Sequence, residues 1–266
     1  MCTGPTHALQ GAIVGLAVTA AVPTIVGYTP TVPAILLGTV LTAGGALLPD
    51  LDMPRSTASK SVGPITDVIS DGVQGLSRIT FRLTASRADR AHMKGTHRGL
   101  THTLVAAAAL GAGFTWLTGL GRIAALATVF LVSFVALRGL PPVEKNFTDL
   151  ITAAAITGGA WWVLTTQPVP AWWIGGAIGV GCLTHQLGDA TTTHGVPLLW
   201  PLPLAGQQWR GLGIPRFMRF HTGGPFESRV LPWLLGAGLA ALLVGLIPGA
   251  WAACGHVVQS ALHHNS

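Results

Sequence analysis

The chain has 266 residues, half of them hydrophobic and only 9% charged, with a formal net charge of +6. A soluble domain carries about 25% charged residues, so the composition excludes an ordinary water-soluble fold. The length instead counts membrane-spanning segments. The three cysteines, Cys2, Cys182 and Cys254, are scattered, which argues against a disulfide framework or a zinc ribbon.

A span needs roughly 20 mostly apolar residues. In chain order, apolar runs at 8–28, 31–49, 103–120, 122–140, 150–166, 170–188 and 230–248 predict seven spans. The first lacks the basic start of a secretory signal and reads as a retained helix. Short Pro-containing links at 28–33 and 166–170 suit hairpins between antiparallel neighbours. Two long polar stretches, 50–102 and 189–229, and a shorter one, 141–149, interrupt the pattern, and the tail 249–266 is too short to span. The expected architecture is an all-α, polytopic transmembrane bundle of about seven spans with two polar loops, forming a single integral membrane domain over 1–266. Within the first loop, 60–94 is mildly amphipathic and reads either as a helix along the membrane interface or as a solvated loop. Trp161, Trp162, Trp172 and Trp173 cluster at span edges and read as interface anchors.

Seven spans put the N-terminus, 50–102, 141–149 and 189–229 on one side of the membrane. Fourteen of the fifteen Lys and Arg residues fall there, and only Arg122 lies opposite. Cytoplasmic loops carry the Lys/Arg excess, so this side is expected to be the cytoplasm and the membrane the bacterial inner membrane. The basic excess then orients the chain against anionic lipid headgroups and does not imply nucleic acid.

The same side holds all nine acidic residues and seven of the ten histidines. His7 opens the first span. Asp50 and Asp52, in LLPDLD, close the second. His97 and His102, in HRGLTH, precede the third. His185 and Asp189, in THQLGD, close the sixth. Four elements thus bring His or Asp to one membrane face, where packing of these spans would make a shallow site. An unpaired carboxylate in the hydrocarbon costs roughly 2.5–3.5 kcal/mol on insertion scales, so three at span ends need a partner. Neutral imidazoles and carboxylates suit a divalent metal, zinc first, with manganese, iron or magnesium as alternatives. His185 and Asp189, spaced i, i+4, share a helical face. His97 and His102 would be about 140° apart on a continuous helix, so Gly99 is expected to mark a turn before a helix starting at Thr101 or Thr103. Asp50 and Asp52 suggest a helix end whose carboxylates diverge, and the donor number favours two ions, or one ion with an acid/base group. His92, His194, His221, His256, His263 and His264 read as ordinary polar positions.

These motifs in this order, His7, LLPDLD, HRGLTH, and His185-x3-Asp189-x2-Thr192-x2-Gly195 followed by VPLLWP, resemble the membrane-bound metal-dependent hydrolases. This is an inner-membrane family whose bacterial prototype is described as LexA-regulated and SOS-associated, and which is related to zinc-dependent, phospholipase C-like proteins. The resemblance implies metal ligands at His7, Asp50, Asp52, His97, His102, His185 and Asp189, and a structural turn at Thr192 and Gly195. It also implies a weaker acidic position, Glu227, in TGGPFE. The reading that follows is hydrolysis of an ester or phosphoester, with a membrane lipid as the candidate substrate, by metal-activated water. Arg98 is then a candidate for binding a phosphate oxygen, and Asp52 or Glu227 for general base. The alternatives are a metal-binding transporter or sensor, and a scaffold whose metal only ties helices together. A transporter places ligands near mid-span, and here they fall at span ends.

Overall fold

Each long apolar run of the sequence folds into a helix. The computed structural model describes residues 2–25, 27–53, 56, 58–61, 63–92, 98–140 and 147–246. Among them the helices are α1 (Gly4–Ile25), α2 (Val32–Gly45), α3 (Pro64–Thr84), α4 (Arg87–His92), α5 (Leu104–Gly119), α6 (Arg122–Gly139), α7 (Phe147–Thr166), α8 (Trp173–Ala190) and α9 (Leu231–Leu246). Short 3-10 turns form at Leu48–Asp52, Leu100–His102 and Arg216–Met218, and a π turn at Phe226–Val230 leads into α9. The described residues contain no strand, only isolated bridges such as Val196–Leu212 in the loop after α8. The all-α bundle expected from the sequence is the observed fold.

Among the described residues, five stretches are long and apolar enough to cross a membrane: Gly4–Ile25, Val32–Asp52, Arg122–Gly139, Phe147–Thr166 and Phe226–Gly245. Leu104–Gly119 is a shorter apolar helix, and α8 has 18 residues with His185 and Asp189 in its last turns. Seven helices therefore correspond to the seven apolar runs, and five of them meet the length and composition of a span. The first polar loop is not irregular, since α3 and α4 occupy most of 64–92.

α2 sits at the centre, packed by α1, α6 and α8; α5 lies on α8, α7 on α6 and α9 on α1. Lipid tails give no hydrophobic drive for helices to associate, so close backbone approach through small residues does the work. A Cβ on Gly45 would sit 2.5 Å from the Ile178 carbonyl oxygen, and one on Gly181 would collide with the Thr42 carbonyl. Gly11 on α1 meets Thr42 and Ala43, and Gly175 meets Gly111 and Thr115 of α5. α1, α2 and α8 are thus pressed together over their lengths, and α5 is laid against α8. Trp173 belongs to this core, 2% exposed beside Ile174 and Ile178. It is not the interface anchor its position at a span edge suggested, because its ring packs against Gly38 of α2 inside the bundle. Trp161, Trp162 and Trp172 are exposed, as anchors would be.

Candidate metal centre

The small-residue seams fix where four helix ends meet. α1 begins, α2 ends, α5 begins and α8 ends at the same end of the bundle. Each of these ends carries an ionisable side chain. His7 lies one turn into α1, and Asp50 and Asp52 lie in the 3-10 turn after α2. His102 closes a 3-10 turn before α5, and His185 and Asp189 lie in the last turns of α8. The structure brings these six together. Every one is buried, at 5% exposure or less, so the site is enclosed and not shallow as the span-end positions suggested.

The turn that delivers His102 is built locally. Arg98 takes a left-handed backbone conformation, φ 55°, which a non-glycine residue adopts only at a cost. Gly99 then precedes the 3-10 turn, and α5 starts at Leu104 with Thr103 as its N-cap, its hydroxyl accepting from Ala106 N at 3.1 Å. Gln186 of α8 clamps this turn by donating its Nε2 to the carbonyls of Thr101 (3.1 Å) and Thr103 (2.8 Å).

Hydrogen bonds decide which imidazole nitrogens face inward. His185 Nδ1 lies 2.7 Å from the Ala46 carbonyl oxygen. A carbonyl only accepts, so Nδ1 carries the proton and Nε2 presents a lone pair. The Thr101 hydroxyl donates to Asp52 Oδ2 at 2.6 Å, so its oxygen accepts from His102 Nδ1 at 3.0 Å, and Asp52 Oδ2 lies 3.4 Å from the same nitrogen. The Nε2 atoms of His102 and His185 then face each other at 3.1 Å. Asp189 Oδ2 lies 3.4 Å from His102 Nε2 and 3.8 Å from His185 Nε2, and Asp50 Oδ1 lies 3.5 Å from His185 Nε2. Asp50 Oδ1 is buried and accepts no hydrogen bond. The His7 ring stacks on His185 with centroids 3.7 Å apart, and its Nε2 is 3.3 Å from Asp189 Oδ1.

Two lone pairs at this separation, ringed by carboxylates, require a cation between them. A proton on His102 is one answer. Burial disfavours that charge, but Asp52 and Asp189 outweigh it and hold the His102 imidazolium's pKa up at about 10. A metal is the other. Tetrahedral zinc at about 2.0–2.1 Å from nitrogen spaces its donors about 3.3 Å apart, near the observed separations. The donor set fits a divalent ion, with His102 and His185 Nε2, Asp189 and Asp50 around one point and His7 adjacent. Each imidazole is oriented from behind, by Asp52 or by the Ala46 carbonyl, as metal-binding histidines are. His102, His185 and Asp189 are one of several overlapping ligand groupings among the described residues, and Cys2 with His7 and Asp189 is another. Burial pushes the Cys2 thiol up, which disfavours the thiolate a metal needs.

The remaining sequence candidates lie differently. Asp50 and Asp52 do not diverge to two centres. They flank His102 on opposite nitrogens, with Asp52 behind the ring. Arg98 faces inward: its Nε is 3.4 Å from Asp189 Oδ2, and its terminal nitrogens donate to the Gly195 carbonyl and the Thr192 hydroxyl, both at 2.9 Å. The turn at Thr192 and Gly195 therefore receives Arg98, and Gly195 takes φ 69° to present its carbonyl. Glu227 is buried but stands outside the ligand groupings; one oxygen accepts from Thr3 N and the other from Gly223 N at 2.6 Å. His97 lies outside the described residues, as does the 249–266 tail with His256, His263 and His264. Among the described residues Cys2 and Cys182 are free thiols.

Sequence reasoning missed Gln186, Thr101 and the backbone N–H of Cys2, which donates to Asp189 Oδ1 at 2.9 Å. Gln186 carried a usable signal as a second polar residue beside His185 in an otherwise apolar helix.

Comparison with known proteins gives one match. The model of the YdjM inner membrane protein family covers residues 1–252. The chain belongs to that family. It is accordingly an inner-membrane protein, and the family's description specifies no activity. No curated protein and no solved structure matches the chain.

Proposed function

We propose that this member of the YdjM family is a membrane-embedded, metal-dependent hydrolase acting on an ester or phosphoester, with a lipid as substrate. The observation that carries the reading is the pair of inward-facing Nε2 atoms 3.1 Å apart, beside a buried Asp50 oxygen with no donor. Imidazole and carboxylate donors together suit a divalent transition-metal ion. A divalent ion held there supplies Lewis acidity and lowers the pKa of water towards 7.

The chain's own groups have separable roles. Asp52 and the Ala46 carbonyl orient the two imidazoles. Arg98 and the Cys2 N–H hold Asp189 from two sides, which makes Arg98 a positioning residue. Asp50 Oδ1 belongs to the donor set an ion would use, and Asp52 and Glu227, the carboxylates left as candidates for general base, already accept hydrogen bonds. A lipid substrate is supported by a cavity of about 480 Å³ between α1, α8 and α9, lined by Val14, Val18, Val180, Leu187 and Leu235. Gln10 and Gly188 also line it, and Gly188 directly precedes Asp189 in α8. That the site lies at the cytoplasmic end of the bundle rests on the Lys/Arg distribution.

Complete burial of the ligands favours a second reading, in which the metal ties four helix ends together without catalysis. Elemental analysis of the purified protein, wild type against His102→Ala with His185→Ala, tests both. Stoichiometric zinc, manganese or iron lost in the variant is expected, with hydrolysis of phospholipid vesicles by the wild type alone. Metal without hydrolysis of any phospholipid or simple phosphoester supports the structural reading. No metal in either protein, even after reconstitution with divalent ions, overturns both.

A further inference from the structure

α3 is built inside out. Its buried face carries Thr66, Ser70, Gln74 and Ser77, with Phe81 packed on Trp209 near the helix end, while Val68 (73% exposed), Leu76 (57%), Ile79 (56%) and Leu83 (80%) point away from the protein, with Ile69 beside them. On a helical projection these apolar residues fall within an arc of about 100°. A helix bordered by water presents the opposite arrangement. The polar inner face is occupied: Gln74 donates to the Ser70 hydroxyl at 3.2 Å, and the Ser77 hydroxyl accepts from Leu100 N at 3.1 Å. The helix therefore cannot roll over to bury its apolar stripe without breaking those bonds.

We propose that α3 is a membrane-docking helix that lies in the interfacial layer of an anionic leaflet, with Val68, Ile69, Leu76, Ile79 and Leu83 sunk among the acyl chains. Charge selects this occupant. The two exposed acids, Asp67 and Asp71, lie in the first half of the helix. The second half and α4 present Arg78, Arg82, Arg87 and Arg90, all exposed. Arg78 and Arg82 lie along one edge of the stripe, where long side chains reach headgroup phosphates while their stems cover apolar surface. An inner-membrane protein keeps such a surface beside the ends of its own helices. Docking also has a structural reach, because Leu100 opens the 3-10 turn that ends in His102. The same helix that grips the lipid surface thus braces one wall of the His/Asp cluster. The proposal stands whether or not the cluster is catalytic.

The test places a nitroxide label at Leu76→Cys, Ile79→Cys, Leu83→Cys or Asp71→Cys, each in the full chain with Cys254→Ser. Cys2 and Cys182 are buried, and all four labelled positions are exposed, so folding is preserved and is checked by a monodisperse elution. The protein is embedded in nanodiscs of phosphatidylcholine, or of an equal mixture with phosphatidylglycerol. Collision with oxygen relative to a water-soluble nickel complex is expected to be severalfold higher at 76, 79 and 83 than at 71. The contrast should be larger in the anionic discs and shrink there in Arg82→Glu with Arg87→Glu. Equal access of the nickel complex to all four labels overturns the proposal. So does dipolar broadening between labels, which would assign the face to a second copy of the chain. Indifference to lipid charge and to the reversal overturns the choice of an anionic surface.

Discussion

The seam between α2 and α8 and the outer face of α3 solve the same problem in opposite ways. At the seam, glycines bring backbones into contact and the ionisable groups are turned inward towards one another. On α3, polar groups again turn inward, and bulky apolar residues other than Phe81 are left outside. Both arrangements contradict the expectation for a protein in water, and both follow once the neighbour on the outside is hydrocarbon. In that setting, polarity is what needs an interior. What differs is tolerance. The seam has no slack, whereas the α3 surface meets a fluid.

The largest effect is expected from breaking the seam. Gly181→Val forces a side chain into the Thr42 carbonyl, and since backbone cannot yield as a flexible side chain does, it should cost about 3 kcal/mol. The readouts are a lower Tm in detergent and loss of bound metal together. A Tm within error of wild type would show that α2 and α8 are not held by this contact.

Asp52→Asn tests the site without touching the seam. Removing a partner that orients a ligand typically costs 10–100-fold in metal affinity, and that range is expected by competition with a chelator. The pH dependence sharpens it. The metal-free His102 has its pKa raised to about 10, above the usual ~6.5. Its protonated form therefore stabilises the metal-free chain fully below about pH 6.5, and that contribution is lost as pH rises towards 10. Metal must displace this proton, so wild-type affinity should fall about tenfold for each pH unit below 10, and the Asn variant should begin that fall at lower pH. Titration of affinity against pH that is flat between 6 and 9 in the wild type would contradict the assignment of a metal to this point.

A smaller loss is expected at Asp89, which ties α4 to the long loop after α8. Its carboxylate accepts from Ser86 N and Oγ at 2.9 and 2.8 Å and from the backbone N–H groups of Gln208 and Trp209. Burial alone would raise this carboxyl, but these bonds win and hold it below the ordinary value. The contribution is thus present above about pH 4 and lost as pH falls through the depressed value. Asp89→Asn should cost about 1–2 kcal/mol, as the loss of a helix cap does, measured by denaturation at neutral pH, with metal content unchanged. The smallest effect is a control: Gly159→Ala on α7, where a Cβ meets nothing within 4 Å, should stabilise by less than about 1 kcal/mol. Destabilisation there would mean that α7 has a close neighbour.

The helices were legible because hydropathy is a local property, and the ligand set because six ionisable residues stand out in a chain with so few. Neither signal reaches partners far apart in sequence. Arg98 read as a phosphate anchor because nothing near it announces Asp189, Thr192 and Gly195, some 90 positions on. Glu227 read as a spare base because its partner, Thr3, is 224 residues away. The amphipathy of α3 was visible, but periodicity gives two faces without saying which one turns inward. That was decided by Leu100, whose N–H meets the Ser77 hydroxyl, and by Trp209, against which Phe81 packs. Trp173 misled for a related reason, since an edge position along the chain says nothing about which helix covers it.

The bare contact of Gly45 and Gly181 with the opposing backbone has one more consequence. α2 ends in the turn that bears Asp50, and α8 carries His185, so the main chains that present these two ligands are held at a fixed separation. A cage with that little give acts as a size gauge. Calcium seeks six to eight oxygens at about 2.3–2.6 Å, so a metal site here would disfavour it both by donor number and by the touching main chains of the two helices.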